Sequence, residues 1–352
     1  MKIEYLLKKK SSWLNGSGPE SDIVLSSRVR LARNLKGFNF AVRSTPETSR
    51  KAAAEILAAA EKVEELKDAL VVEINDISPL DRQFLIERRL VSRELASGDA
   101  GVVLIGKKES ISLMINEEDH LRIQVLRSGL SLSRCWEIAD RIDSLLEQRL
   151  DYEYCPEHGY LTACPTNLGT GMRASAMIHL PALVMDGQVS RILQAVGKLG
   201  LAVRGIYGEG TRAFGNLFQI SNQQTLGKTE EEIIGNLERI IIKIINHERQ
   251  ARHELLENSR LKLEDRVYRA LGVLRNARLL TAEETINLLS ALRMGVNLNT
   301  ISGLSPGAVN EIFIHSQPAH LQKMAGNELS SRERDILRAR IVRDKLSGLD
   351  SA

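Results

Sequence analysis

Three short apolar runs, at 102–105, 111–115 and 123–126, follow one another with only a few residues between them. Links of that length cannot hold a crossover helix, so the runs must fold back on each other as an antiparallel meander rather than as βαβ units. Further strand-like segments occur within 22–34 and at 71–74, 173–180, 201–203 and 217–220. Helical patterns occupy 46–69, 79–95, 131–149, 187–199 and 229–257. The first of these opens on Thr45-Pro46-Glu47, a cap residue, a first-turn proline and an acidic first turn. From about residue 259 the strand signals stop, and 259–277, 281–294, 305–316 and 330–346 all read as helix. Such a shift marks a domain boundary. The expected fold class is therefore α+β followed by a smaller all-α region, divided as a lead-in 1–21, a main domain 22–255 and a helical domain 256–352.

With 352 residues the chain can bury a sizeable core. Its 48 basic and 45 acidic side chains nearly cancel to +3, so no bulk field points to nucleic acid or a membrane, and an anion site must be built from local arginines. Three cysteines, Cys135, Cys155 and Cys164, are too few for a disulfide scaffold and fit a reducing compartment. The first residues hold no apolar stretch of signal-peptide length, and no run of about 18 apolar residues occurs. The expected location is cytoplasmic.

Within this frame a few stretches carry chemistry. Residues 164–173, CPTNLGTGMR, make poor helix and poor strand and read as a shaped loop. Its glycines let backbone N–H groups converge on an anion, Arg173 adds a two-pronged contact, and Cys164 brings a thiol that nearby cations would ionise. Arg28 and Arg30 alternate along an extended stretch and so share one face; an anion between them and a solvated strand edge both explain the pair. Three acids, Glu117-Glu118-Asp119, end a strand and precede Arg122, either as a water-facing turn or as a carboxylate placed to take a proton. A second glycine-rich loop, 204–210, repeats the combination of arginine (Arg204) and acid (Glu209). Arg82, Arg88, Arg89 and Arg93 on the 79–95 helix read as mostly solvated. Cys155 and His158 have zinc-like spacing but no second pair to complete a site. In the last helix Arg334 and Arg338 lie one turn apart, as a solvated face or as a clasp for one phosphate. Together these residues form the inventory of phosphoryl transfer, without a Walker A or protein-kinase signature.

The blocks VLSSRVRLARN, NEEDHLR, CPTNLGTGMRA, VRGIYGE and ISNQQTLG resemble, in order, those of the ATP:guanidino phosphotransferases (phosphagen kinases) over residues 22 to about 255. The resemblance implies a large antiparallel sheet flanked by helices. It also implies ATP with Mg²⁺ held by the phosphates and water rather than by a protein metal site. Nucleotide contacts would come from Ser26, Ser27, Arg28, Val29, Arg30, Arg89, Arg122, Arg173, Ala174, Ser175, Ala176, Met177, Arg204, Gly205, Ile206, Tyr207, Gly208 and Glu209. Glu118 would be the base, Cys164 would lie beside the reacting guanidinium, and Glu209 would mark arginine as acceptor. Arg89 stands where the family usually has a histidine. Only about twenty residues precede the first block, where small-guanidino kinases carry a helical domain that caps the substrate. That shortness and the helical C-terminal region resemble the bacterial protein-arginine kinases, which mark proteins for a Clp protease. In them the Arg-Asp-x-x-Arg-Ala stretch, here Arg334, Asp335, Arg338 and Ala339, forms a phosphoarginine pocket. The partners implied are arginine-bearing proteins, a zinc-binding activator, the Clp system and a second copy of the chain. A free-arginine kinase and a phosphoarginine-binding adaptor with weak catalysis are the competing readings.

Overall fold

The computed structural model describes residues 3–205 and 213–347, so the expectations for Ile206, Tyr207, Gly208 and Glu209 lie outside the described residues. The strands are β1 (Val24–Arg33), β2 (Leu70–Glu73), β3 (Val102–Ile105), β4 (Ile111–Ile115), β5 (Leu121–Ser128), β6 (Tyr154–Cys155), β7 (Gly159–Tyr160), β8 (Met172–His179), β9 (Leu201–Gly205) and β10 (Leu217–Asn222). Eight of them form one antiparallel sheet in the order β2-β3-β4-β5-β1-β8-β10-β9, while β6 and β7 make a small hairpin. The meander expected at 102–126 is the β3-β4-β5 run.

The helices are α1 (Pro46–Ala60), α2 (Pro79–Glu87), α3 (Arg93–Ser97), α4 (Leu132–Glu147), α5 (Pro181–Met185), α6 (Val189–Lys198), α7 (Glu230–Asn258), α8 (Arg260–Asn276), α9 (Ala282–Asn297), α10 (Pro306–His315), α11 (Pro318–Ala325) and α12 (Ser331–Leu346). In α4 the buried Leu132, Cys135, Ile138, Ala139, Ile142 and Leu146 recur at helical spacing. That stripe lies in the same core as Val29, Leu31, Ile123, Val125, Ala174, Ala176 and Ile220 of the sheet, together with residues of α1 and α7. Each large aliphatic side chain so buried contributes about 1.5–3 kcal/mol of transfer free energy. The opposite sheet face is split. Leu25, Leu126, Met177 and Leu217 pack against the C-terminal helices and Trp13, whereas Val103, Ile105 and Met114 pack against α2 and the first residues of the chain. Between these two apolar clusters the same face is polar.

Several expectations change. The helix read over 46–69 stops at Ala60 and is followed by a single 3₁₀ turn, Glu64–Leu66. The helix read over 79–95 breaks in two because Arg89 adopts φ +59° and Ser92 caps a new helix. α11 lies in the stretch 317–329, where the sequence suggests no helix; Pro318 starts it, and the Glu87 carboxylate accepts from the Ala319 and His320 amides in place of a local cap. The lead-in is packed into the fold, with Ile3, Leu6, Trp13 and Leu14 buried.

Buried polar groups tie the C-terminal helices to the sheet. Arg293 of α9 donates to the Ser21 and Asp22 carbonyls and to His179 Nδ1, which leaves His179 Nε2 to donate to Ser290 Oγ. Burial, reinforced by Arg293, holds the His179 pKa well below its ordinary value. On α11, His320 Nδ1 lies 2.8 Å from Glu87, and burial outweighs that carboxylate to lower its pKa as well. Among the described residues no helix is long and apolar enough to cross a membrane.

Candidate active site

Strand alternation assembles the site. On β1, β5, β8 and β10 the apolar residues at alternate positions face α4 and α7, and the residues between them face the other way. That second set includes Arg28 and Arg30 on β1, Arg122 on β5, Arg173 on β8 and, by the same parity on β9, Arg204. In register Arg30 stands opposite both Gln124 and Arg173, Arg122 opposite Ala32, and Arg204 opposite Gln219. Five guanidinium groups thus share one patch of a sheet face.

Such crowding opposes the charged state. Burial, followed by repulsion from Arg30, Arg89, Arg122 and Arg173, lowers the Arg28 pKa well below normal; burial and then Arg122 and Arg173 lower that of Arg30 to about 10. Arg173 is lowered by burial and then by Arg204. The Nε atoms of Arg30 and Arg89 are buried without an acceptor. Uncompensated donors of this kind cost free energy unless an anion arrives, so the patch is built for a polyanion.

The patch has two parts. Arg30, Arg122, Arg173 and Arg204 line a polar cleft of about 220 Å³ with Glu118 and Cys164. Next to it Arg28 and Arg89 line a narrower recess with Ser26, Ser175, Met177 and Gln219. Parity also corrects part of the nucleotide set: Val29, Ala174 and Ala176 point into the opposite core, and the Ser27 hydroxyl is buried on the Gly129 carbonyl. A sequence block contributes only every second side chain of a strand. A cavity of about 800 Å³ between the lead-in, α2 and α11 shares no lining residue with the cleft or the recess.

The three acids meet three fates in a tight turn that Asn116 enters at φ +57°. Glu117 is buried against Arg122 and Ser92, and burial raises its pKa. Asp119, fully buried, accepts 2.7 Å hydrogen bonds from Asn34 Nδ2 and the Ala163 amide, so it fixes the turn to the segment just before Cys164. Only Glu118 remains accessible, its side chain 42% exposed and Oε2 3.5 Å from Arg122 Nη2. The Cys164 Sγ lies 3.0 Å from Thr166 Oγ1, and the Cys164 carbonyl accepts from Thr162. Gly171 has φ +63° and a Cβ there would fall 2.5 Å from the Ala32 carbonyl, so the loop can lie flat on β1 only with glycine.

Other readings change on contact with the structure. Arg88, read as solvated, is 1% exposed and bound to Glu109. Glu94 and Asn167 line the cleft but were not singled out; Asn167 at least belongs to the loop run, whereas nothing local marks Glu94. At the C-terminus Arg338 is buried. Its Nε donates to the Ser316 carbonyl, and its Nη1 to the Leu280 carbonyl and to Asp335. Ala339 is fully buried, and Arg334 donates to the Leu329 carbonyl and Ser331. The expected side-by-side pair on an open face is thus one inward and one partly exposed arginine. Among the described residues no group of three or more His, Cys, Asp or Glu is placed to hold a metal ion.

Comparison with known proteins gives this geometry a context. Residues 51–251 match the family profile "ATP:guanido phosphotransferase, C-terminal catalytic domain", and residues 260–352 match "Protein-arginine kinase McsB C-terminal domain". A protein-arginine kinase of Moorella thermoacetica is 47% identical over 351 residues, 97% of this chain and 99% of the relative. One of Bacillus cereus is 47% identical over 339 residues, 96% of each. Among solved structures, a lombricine kinase superposes with TM-score 0.58 at 26% identity, covering 67% of this chain and 68% of that one. A taurocyamine kinase of Schistosoma mansoni shares the fold, with TM-score 0.59 at 24% identity over 69% of this chain and 35% of that one. With its sheet face of arginines, its two matching profiles and relatives matched end to end, the chain belongs to the ATP:guanido phosphotransferase family, in its protein-arginine kinase branch.

Proposed function

We propose that this protein transfers the γ-phosphoryl group of ATP to an Nω of arginine side chains in proteins. The observation that carries the reading is the convergence of four arginines, two carboxylates (Glu94 and Glu118) and one thiol on a single polar cleft. Arg28, Arg30, Arg122, Arg173 and Arg204 would neutralise the triphosphate, with Arg89, Ser26, Ser175 and Met177 on the nucleotide side. Mg²⁺, bound through the phosphates and water, would supply further charge neutralisation.

The acceptor's chemistry sets what the protein must do. A guanidinium has a pKa above 12 and is a poor nucleophile while protonated. Glu118 grips one N–H and takes its proton as the Nω–P bond forms; the bond from the γ-phosphorus to the bridging oxygen breaks, and ADP leaves. Cys164 sits beside the same cation and steers it electrostatically. Glu209, outside the described residues, is assigned the second grip. Such orientation supplies on the order of 7 kcal/mol or more in favourable cases.

The domain division near residue 256 belongs to this reading. The helical part would recognise phosphoarginine through Arg334, Asp335, Arg338 and Ala339, with Arg338 already ordered by its backbone acceptors. A zinc-binding activator, delivery of marked proteins to a Clp protease and self-association complete the proposal. The test is mass spectrometry without acid steps on an unfolded model protein incubated with enzyme and Mg-ATP, beside a parallel assay on free L-arginine. Phosphate on protein arginines with little on the free amino acid is expected. The opposite preference would overturn the reading in favour of a metabolite kinase.

A further inference from the structure

The block ISNQQTLG carries no chemistry of its own in the mechanism above, yet two of its side chains are buried among the backbone that presents Arg173 and Cys164. Asn222, 4% exposed, sits where β10 ends. Its Oδ1 accepts from the Ala174 amide at 2.8 Å and its Nδ2 donates to the Met172 carbonyl at 3.1 Å, so one side chain grips the peptide groups on both sides of Arg173. A third hydrogen bond, from Nδ2 to the Gln224 carbonyl, bends the chain back toward the loop.

Thr225, 6% exposed, then reaches that loop from the other side. Its hydroxyl lies 2.7 Å from the Leu168 carbonyl and 3.1 Å from that of Thr166, and its own carbonyl accepts from the Thr170 amide at 2.9 Å. Gly169, at φ +104°, allows the approach, since a Cβ there would stand 2.3 Å from the Thr225 oxygen. The stretch 166–170 is therefore pinned to one residue by a hydroxyl proton shared between two carbonyls and by the Thr170 amide, and only Pro165 separates it from Cys164.

We propose that Asn222 and Thr225 are positioning residues for phosphoryl transfer: Asn222 sets the peptide frame of Arg173, and Thr225 sets the loop that holds the Cys164 thiol. This rests on the reading that Arg173 and Cys164 serve the transfer. Neither residue touches substrate; each acts through the groups it holds. The chemistry demands such a device because a loop of Pro, Asn and glycines has little intrinsic preference for one conformation, while a misplacement of about 1 Å at reacting groups can cost about a hundredfold in rate.

The test uses the full-length enzyme with Thr225→Val, which keeps the β-branch and removes the donor, and Thr225→Ser, which keeps the donor. Thr225→Val is expected to lower kcat about tenfold to a hundredfold, with KM for ATP changed less than about threefold. It is also expected to change the rate of Cys164 alkylation by a small thiol reagent. Thr225→Ser restores both, and Asn222→Ala should lower kcat without altering the alkylation. A merely structural role would reduce the folded fraction but leave the alkylation rate of that fraction unchanged. Wild-type kcat and alkylation in folded Thr225→Val overturns the proposal. If Thr225→Val does not fold, Thr225→Ser decides: a kcat within about threefold of wild type supports it, and a tenfold loss overturns it. Arg173→Ala and Cys164→Ser are run alongside. If both keep wild-type kcat, the site reading has failed and the proposal falls with it; if they lose activity and Thr225→Val does not, only the proposal falls.

Discussion

Removing the Glu109 carboxylate is expected to destabilise the protein more than any surface ion pair would, and the structure says by how much. Arg88 lies at the end of α2, 1% exposed, and its Nε and Nη2 each approach the Glu109 carboxylate at 2.8 Å. Nη2 also donates to the Lys9 carbonyl and to Ser11 Oγ, and Ser11 donates on to Glu109. The pair thus joins the lead-in, α2 and the β3–β4 turn. Two unit charges about 4 Å apart attract by about 4 kcal/mol at an effective dielectric of about 20, and stranding one member of a buried pair typically costs about 3–5 kcal/mol. Glu109→Gln and Arg88→Met should each lose an amount in that range. The double replacement Arg88→Met/Glu109→Met should return to within about 1–2 kcal/mol of wild type, because it removes the desolvation cost along with the attraction. Equilibrium denaturation of the four proteins closes the cycle, and adding salt should change little because the pair is buried. Arg89, next in the chain and held at φ +59°, should carry the disturbance into the nucleotide recess as a raised KM for ATP in the single variants. Single variants each within about 1 kcal/mol of wild type would refute the reasoning.

Other outcomes follow from the site and its supports. Glu118→Gln should lower kcat by about 10²–10⁴ with KM for ATP little changed, since in the proposed reading its carboxylate acts on the acceptor guanidinium and not on the nucleotide; a variant keeping more than about a tenth of wild-type kcat would remove Glu118 as base. Gly171→Ala should cost about 1–3 kcal/mol from φ +63° and the approach to the Ala32 carbonyl, and should depress activity; a wild-type melting curve and kcat would contradict the flat-lying loop. His179, His315 and His320 all have folded pKa values lowered chiefly by burial, that of His315 to about 3. The unfolded chain therefore binds more protons below the ordinary histidine pKa of about 6.5. Their stabilising contribution is whole above that value and is lost progressively as pH falls toward the folded values. The denaturation midpoint should drop between pH 7.5 and 5, and a flat profile would argue against this.

How much of this was legible in the sequence depends on the range of the interaction. Alternation in β1 placed Arg28 and Arg30 on one face, and short links gave the meander, because both are local properties of the chain; that Arg173 joins them is set by the β1–β8 register, which is not local. The same alternation would also have excluded Val29, Ala174 and Ala176 as side-chain contacts, had it been applied within each block. Arg88 and Arg338 were unreadable for a different reason. Each is buried by acceptors far along the chain, Glu109 and Ser11 for one and Ser316 and Leu280 for the other, and no periodicity signals that. α11 escaped notice because its cap comes from Glu87, on a helix that long precedes it.

The sheet order has a consequence for how the protein is made. β1 emerges from the ribosome early, yet its neighbours are β5 and β8, with Arg28 opposite Leu126 on one side and Ser175 on the other. At about 5–20 residues per second, the strand bearing two of the anion-binding arginines waits on the order of ten seconds before its second edge can be covered. Its nascent form is a long unpaired β-segment with Val24, Leu25, Val29 and Leu31 uncovered, the kind of species that seeks wrong partners. Biogenesis of this protein should therefore depend on holding chaperones during that interval more than its finished, well-buried core would suggest.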